Sequence, residues 1–346
     1  TDVRIAHASR VMNAFCHSVS SNSINSSRCC RVIKYFYKFQ DKDKDPISQD
    51  ASSAVKGAIP LLSGAHMECL LFEKQRVSEN SVMSGSRNFH IFYQLLATKD
   101  LPELSALEEF CLGEALQFAI LKDDAGEVLG QRSKDLEAFQ KLLVSLNTVG
   151  FSQYEIFGVL RILTGILHMG NITFDEAEGD SIHNNVISVH DGRPLEMAAH
   201  ALGVDPKALF LSFIDDKLPN SAIKAPYRTK EQANTHRDHM CNSLYEALFH
   251  CILDQINEFI APELGTDVLE RRAQKLKAMK LTREKKEAHQ DLEDDDEDDE
   301  NENPFDELFI CTIDIPSFIH EEFNTFRNFL VNYTQEKTND IFVRCV

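Results

Sequence analysis

Residues 265–304 constrain this sequence most, because no hydrophobic core can hold them. A stretch rich in Lys and Arg (271–286) runs there into an acidic block that ends Asn301-Glu302-Asn303-Pro304. Such a run buries too little apolar surface to offset the entropy of ordering it, so it reads as a charged, solvated, disordered insertion. The fold must then be built from residues 1–264 on one side and 305–346 on the other. Ten acids, at 291, 293–300 and 302, fall in this block, and they account for about half of a net charge of −19 from 36 Lys+Arg and 55 Asp+Glu. The remainder is only moderately acidic, which argues against a nucleic-acid reader.

Compartment and membrane readings follow from the same composition. Nine Cys, with no C-x-x-C and with Cys29 next to Cys30, do not form a disulfide or zinc framework, and a reducing cytosolic setting is expected. Residues 156–172 are the most apolar long stretch, but they are short for a membrane span and carry Arg161. The start Thr1-Asp2-Val3-Arg4 has no signal-like apolar run, and the last residues look helical, so the sequence reads as a piece of a longer chain.

Periodicity predicts a helix over residues 2–19, stopped by the Ser/Asn cluster 18–27, which reads as a polar loop. Residues 32–39 mix aromatic and β-branched side chains as a strand does, and a second strand is expected near 68–72. Helices fit 89–96, 136–146, 155–167 and 231–260, the third apolar almost all round and therefore buried. After the insertion, Leu308-Phe309-Ile310-Cys311-Thr312-Ile313 suits a fully buried parallel strand with Asp314 at its carboxyl end. An amphipathic helix follows, with Phe323, Phe326, Leu330, Tyr333 and Ile341 on its apolar face. Strand, acid-tipped loop and helix is the place where open α/β sheets bind ligands.

Two segments carry chemistry. Ser23-Ile24-Asn25-Ser26-Ser27-Arg28 offers hydroxyls, an amide and a guanidinium, the donor set that meets phosphate oxygens and a hydrated Mg²⁺. Asp314-Ile315-Pro316-Ser317-Phe318-Ile319 places a carboxylate at a strand end, where it could hold the Mg²⁺ shell. Either segment alone is equally compatible with an ordinary capping loop or turn. His90, His168, His236, His239 and His250 show no zinc spacing, and no Ser-His-Asp or Cys-His order stands out.

Taken in order, the motifs resemble those of myosin motor domains. Asn25-Ser26-Ser27-Arg28 looks like the switch I loop N-x-N-S-S-R, and Asn13-Ala14-Phe15 looks like the E-A-F before it. Leu71-Phe72-Glu73-Lys74-Gln75-Arg76-Val77 resembles L-L-E-K-S-R-V. The run 87–96 matches R-N-[FY]-H-I-F-Y-Q-L-L, and 166–172 resembles I-L-H-L-G-N-I. The loop at 314–319 resembles switch II, D-I-x-G-F-E, and 332–337 resembles the relay-helix N-Y-T-N-E-K. Seven ordered matches span nearly the whole chain.

The resemblance implies a helix-dominated α/β fold, the central part of a P-loop NTPase-type motor domain, with an incomplete central sheet. It implies ATP and Mg²⁺ as cofactors, although no G-x-x-x-x-G-K-[ST] occurs in these residues. Ser27 and Asp314 would serve Mg²⁺, the latter through a bound water. Ser26 would lie beside the γ-phosphate and the attacking water, Ser23 and Asn25 would complete the nucleotide-contacting loop, and Arg28 would be the switch I half of a salt bridge. Residues 217–230 fall where the family carries an actin-contacting surface loop, so an actin filament is the implied partner and the cytoplasmic cytoskeleton the implied location. Residues 1–264 would form the head-like region with its helical upper subdomain, and 305–346 switch II and the start of the relay helix.

Departures from the pattern bear on catalysis. Ser317 stands where the family has the switch II Gly whose backbone N–H meets the γ-phosphate, and Ile319 replaces the Glu that pairs with the switch I Arg, so Arg28 loses its expected partner. Ser23 stands at the first Asn position of switch I, and Cys29-Cys30 replace the Phe-Gly after the Arg. Slow or absent hydrolysis is therefore expected. The alternatives are a motor-like domain fused to a membrane-bound chitin synthase and a non-catalytic pseudo-motor scaffold. With strands left unpaired at the sheet edges, the isolated chain is expected to be poorly soluble.

Overall fold

A computed structural model describes residues 2–20, 23–40, 59–78, 87–98, 109–121, 131–177, 186–215, 228–261, 309–316, 318, 324 and 326–345. Ser317, Ile319, residues 217–227 and the expected insertion lie outside the described residues. The elements in order are α1 (Asp2–Cys16), β1 (His17–Ser20), β2 (Ser23–Ser27), β3 (Cys30–Gln40), β4 (Ile59–Leu70), α2 (His90–Leu96), α3 (Gln131–Val149) and α4 (Gln153–Gly170). They continue with β5 (Phe174–Ala177), β6 (Val186–Val189), α5 (Gly192–Leu202), α6 (Pro206–Ile214), α7 (Lys230–Ile260), β7 (Phe309–Asp314) and α8 (Phe326–Cys345). Short 3₁₀ turns occupy Lys74–Val77, Ala115–Gln117 and Ala119–Leu121.

The chain divides into two compact units. One holds residues 1–2, 33–66 and 260–312, including most of β3 and β4 and the start of β7, which neighbour one another in the order β4-β3-β7. Within it the Phe36 and Phe309 rings sit 6.2 Å apart, and Ser63 donates to the Phe36 carbonyl at 3.0 Å.

The other unit, residues 3–32, 67–259 and 313–346, is mainly helical. Its helices begin and end where sequence chemistry requires. Ser152 and Glu155 form a reciprocal capping box at the start of α4, the Ser hydroxyl accepting from the Glu155 N–H and the Glu carboxylate accepting from the Ser152 N–H at 2.8 Å. Asp191 and Asp205 cap α5 and α6, and Gly203 ends α5 with φ of 71°, a left-handed turn that a Cβ would strain. Gly165 lets α4 approach α5, since a Cβ there would come within 2.6 Å of the Leu202 side chain.

The long helix α7 is the spine of this unit. Its Tyr245 and Phe249 stack with Phe72 and Phe89, the Phe72–Phe249 centroids being 4.1 Å apart and Phe89–Tyr245 5.0 Å. The buried Tyr245 hydroxyl donates to the Phe15 carbonyl at 2.8 Å, and the Asn257 amide bridges the backbone N–H and carbonyl of Met67, both at 2.8 Å.

Two expectations are corrected. The region 18–27 is a β-hairpin rather than a loop, because β1 and β2 pair antiparallel with His17 opposite Ser27 and Ser18 opposite Ser26; α1 accordingly stops at Cys16. β7 is exposed along most of its length rather than fully buried, with Phe309 and Ile310 open to solvent. In α8, which the sequence reads as amphipathic, Phe326, Phe329, Leu330 and Tyr333 are exposed while Asn332 and Gln335 are buried. The stripe residues Phe326, Phe329 and Tyr333 instead stack on one another along the helix, with centroids 6.1 and 6.2 Å apart.

Candidate functional site

The β1–β2 hairpin carries Ser23, Asn25, Ser26, Ser27 and leads directly to Arg28. Its position is fixed from three sides. The Arg28 N–H donates to the Cys16 carbonyl at 2.8 Å, the Glu73 N–H donates to the Arg28 carbonyl at 2.9 Å, and Ser18 forms a β-bridge with Phe89. The motif at 87–96 thereby acts as a bracket for the hairpin. Asn88, wholly buried, donates to the carbonyls of Arg76 (3.1 Å) and Ile120 (2.9 Å) and accepts from the Phe89 N–H at 2.8 Å. Arg87 pairs with Asp135 at 2.6 Å and lies over the Tyr93 ring, 3.7 Å from its centroid.

Ser26 and Ser27 are buried, at 6% and 8% exposure, and the Ser27 hydroxyl donates to the Cys29 carbonyl at 2.9 Å. The Ser23 hydroxyl accepts from the Asn25 N–H at 3.2 Å. The Asn25 side-chain oxygen lies 2.9 Å from His17 Nδ1 and 3.1 Å from His90 Nε2. Burial lowers the pKa of His17. Burial, reinforced by the positive charges of Arg87, Arg28 and Arg76 and by His17, pushes His90 down to about 4.

Arg28 is not left unpaired by the change at 319. Only 3% exposed, it donates through Nε to Ser18 Oγ at 2.6 Å and faces Glu73 Oε2 at 3.9 Å, a carboxylate it shares with Arg76. A buried guanidinium requires such a partner, and Glu73 supplies it from within the 71–77 motif. Asp314 is likewise engaged. Arg31, on β3, gives Nη2 to its carboxylate at 3.1 Å and Nη1 to Asn13 Oδ1 at 2.9 Å. The sequence reading assigned no role to Glu73, Arg31, Asn13 or His17; Glu73 and Asn13 were legible only as motif letters.

A group of thiols surrounds the same turn. Cys29 Sγ lies 4.0 Å from Ser27 Oγ, and the Cys16 and Cys69 thiols act on its titration. Those groups, with Arg31, hold Cys29 below the usual thiol range, while Cys16 and Cys69 are pushed up, chiefly by Cys29. Burial also raises Cys30.

The donor set does not fit Mg²⁺ as it stands. The Asp314 carboxylate is occupied by Arg31, the Ser27 hydroxyl points at a backbone carbonyl, and among the described residues no group of three or more His, Cys, Asp or Glu side chains is arranged to hold a metal ion. Of residues 217–230 only Arg228, Thr229 and Lys230 are described; Arg228 closes the base of that segment by donating to the Ser212 and Phe213 carbonyls at 3.2 and 3.0 Å.

Comparison with known proteins accounts for the motif order. The model of the myosin head (motor domain) family matches residues 56–268, more than half of the chain. The chain belongs to this family. The matched range covers the 71–77 and 87–96 motifs and α7, and the hairpin and Asp314 lie outside it. They are covered by pairwise similarity: the chain is 25% identical to human unconventional myosin-XV over 99% of its length, and 26% identical to Myosin-1 of Saccharomyces cerevisiae over 99%. With human unconventional myosin-Va it shares 28% identity over 81%. It spans only 8%, 14% and 12% of these relatives. Among the described residues no helix is long and apolar enough to cross a membrane.

Proposed function

We propose that this chain is the switch-bearing segment of a myosin motor domain whose parent protein binds ATP and actin filaments, with hydrolysis slowed by an altered switch pair. Residues 1–264 then form the head-like region and 305–346 the switch II strand and start of the relay helix. The order β4-β3-β7 with Asp314 at a strand end supports a P-loop NTPase-type sheet. Contact with actin is assigned to 217–230. The assembly belongs with the cytoplasmic cytoskeleton.

One observation carries the reading: each switch charge is already satisfied elsewhere, Arg28 by Ser18 and Glu73 and Asp314 by Arg31. Closing the two switches over a nucleotide requires Arg28 to meet a switch II carboxylate, and Ile319 offers none. Loss of one charge-assisted contact weakens closure by about 1.5–3 kcal/mol, roughly tenfold to a hundredfold in its equilibrium. Mg²⁺ would supply charge neutralisation at the phosphates. Ser27 and Asp314, each engaged within the protein, do not present themselves for it here.

The test is steady-state ATP turnover of the full-length parent, with and without actin, beside the double variant Ser317→Gly, Ile319→Glu. Slow turnover in the wild type that rises at least about tenfold in the variant supports the reading. Ordinary actin-activated turnover in the wild type overturns it. No turnover in either form favours the scaffold reading instead.

A further inference from the structure

We propose that Arg31 serves Asp314 as its resident counter-ion in place of hydrated Mg²⁺, so that the nucleotide affinity of the parent protein does not depend on that metal. The inference rests on the ATP-binding reading above and deepens it to the metal requirement of the same site.

The guanidinium is fixed on two sides. Its Nη1 donates to Asn13 Oδ1 at 2.9 Å and its Nη2 to Asp314 Oδ2 at 3.1 Å. The Arg31 side chain is 13% exposed against 48% for Asp314, so the cation is the anchored, mostly buried member of the pair. Held by Asn13, it stays beside the carboxylate even when their contact opens, and its charge opposes entry of a divalent cation.

The second oxygen that Mg²⁺ would need is also committed. Ser27 is buried, and its hydroxyl donates to the Cys29 carbonyl at 2.9 Å. Mg²⁺ demands near-octahedral oxygen ligands and gives up its waters reluctantly. A site that offers neither the carboxylate nor the hydroxyl leaves the ion to the phosphates alone.

Charge points the same way. The ion pairs around this turn join Arg28, Arg31 and Arg76 to Glu73 and Asp314, three cations to two anions. A positive surplus favours phosphate and disfavours a divalent metal. Arg31 Nε, buried and without a hydrogen bond among the described residues, is a further donor on the same fork.

The experiment titrates the full-length parent with N-methylanthraniloyl-ADP by fluorescence, once in excess Mg²⁺ and once in EDTA. The wild type is expected to bind with affinities that differ by less than about threefold, and a larger advantage in Mg²⁺ overturns this inference alone. No binding in either solution overturns the ATP-binding reading and this inference with it. Arg31→Gln frees Asp314 and should bind at least about tenfold more tightly in Mg²⁺ than in EDTA, a gain that the added change Asp314→Asn removes. An Arg31→Gln protein that folds by circular dichroism and stays indifferent to Mg²⁺ refutes the role of Arg31. Should Arg31→Gln not fold, Asp314→Asn alone decides: it is expected to shift affinity equally in both solutions, and a loss confined to Mg²⁺ would show that Asp314 serves the metal after all.

Discussion

The guanidinium of Arg31 lies 3.1 Å from the carboxylate of Asp314 and 2.9 Å from the side-chain oxygen of Asn13. It joins α1, the start of β3 and the end of β7 through one side chain. A few residues away, Arg28 is satisfied by different partners, Ser18 and Glu73. Two arginines three residues apart thus take opposite roles, one deeply buried and locally bound, the other reaching a carboxylate that is about half exposed.

Burial predicts that these two pairs differ in worth. Asp314→Asn removes a partner at a half-exposed site, where solvent screening limits the loss to about 1 kcal/mol or less. Glu73→Gln leaves Arg28 buried without its carboxylate. Because the nitrogen–oxygen separation is 3.9 Å, the cost should fall near the low end of a broken buried pair, roughly 3 kcal/mol. Denaturant titration of both variants measures the contrast, and equal losses would refute it.

Asn88→Ala should be among the most damaging single changes outside the apolar core. It orphans the Ile120 and Arg76 carbonyls and the Phe89 N–H, all served by one buried amide. Two or three lost bonds at about 1–3 kcal/mol each give a loss of several kcal/mol. Thermal unfolding should show a large drop, and a retained midpoint would mean that water replaces the amide.

How much of this was legible can be judged from these residues. The helices at 231–260 and 155–167 announced themselves through their apolar period, which local spacing encodes. The hairpin at 17–27 did not, because Ser and Asn runs favour loops and the pairing of His17 with Ser27 depends on Phe89 and Glu73 arriving from far along the chain. Arg28 stood out in the sequence by its motif, yet its partner Glu73 did not, as no local rule links positions 45 apart. The outward stripe of α8 follows no sequence rule, because period reports which face is apolar, not what covers it.

His90 makes stability depend on pH. Its pKa is lowered from 6.5 to about 4, so the folded state holds it neutral while the unfolded chain takes up a proton below 6.5. Its contribution is therefore complete above about 6.5 and declines as pH falls toward 4, by at most about 3 kcal/mol. The groups facing it are Arg87, Arg28, Arg76 and His17, which oppose protonation, and Asn25, whose oxygen lies 3.1 Å away. Replacing His90 with Gln should flatten the slope of unfolding free energy between pH 4 and 6.5 in denaturant titrations. An unchanged slope would assign it to another group, of which His17 is the first to examine.

The exposed stripe of α8 gives the last expectation. Phe329 is 58% exposed and touches Phe326 and Tyr333 on its own helix, so Phe329→Glu removes little buried area. Unfolding free energy should change by less than about 0.5 kcal/mol, as for other surface substitutions. A contiguous apolar stripe on a soluble surface promotes association, and a charge at its centre should oppose it. Light scattering at raised protein concentration should fall in the variant relative to the wild type. A fall of several degrees in melting temperature would instead show that Phe329 is packed in solution, and unchanged scattering would place the association elsewhere, with the exposed end of β7 at Phe309 and Ile310 the next surface to charge.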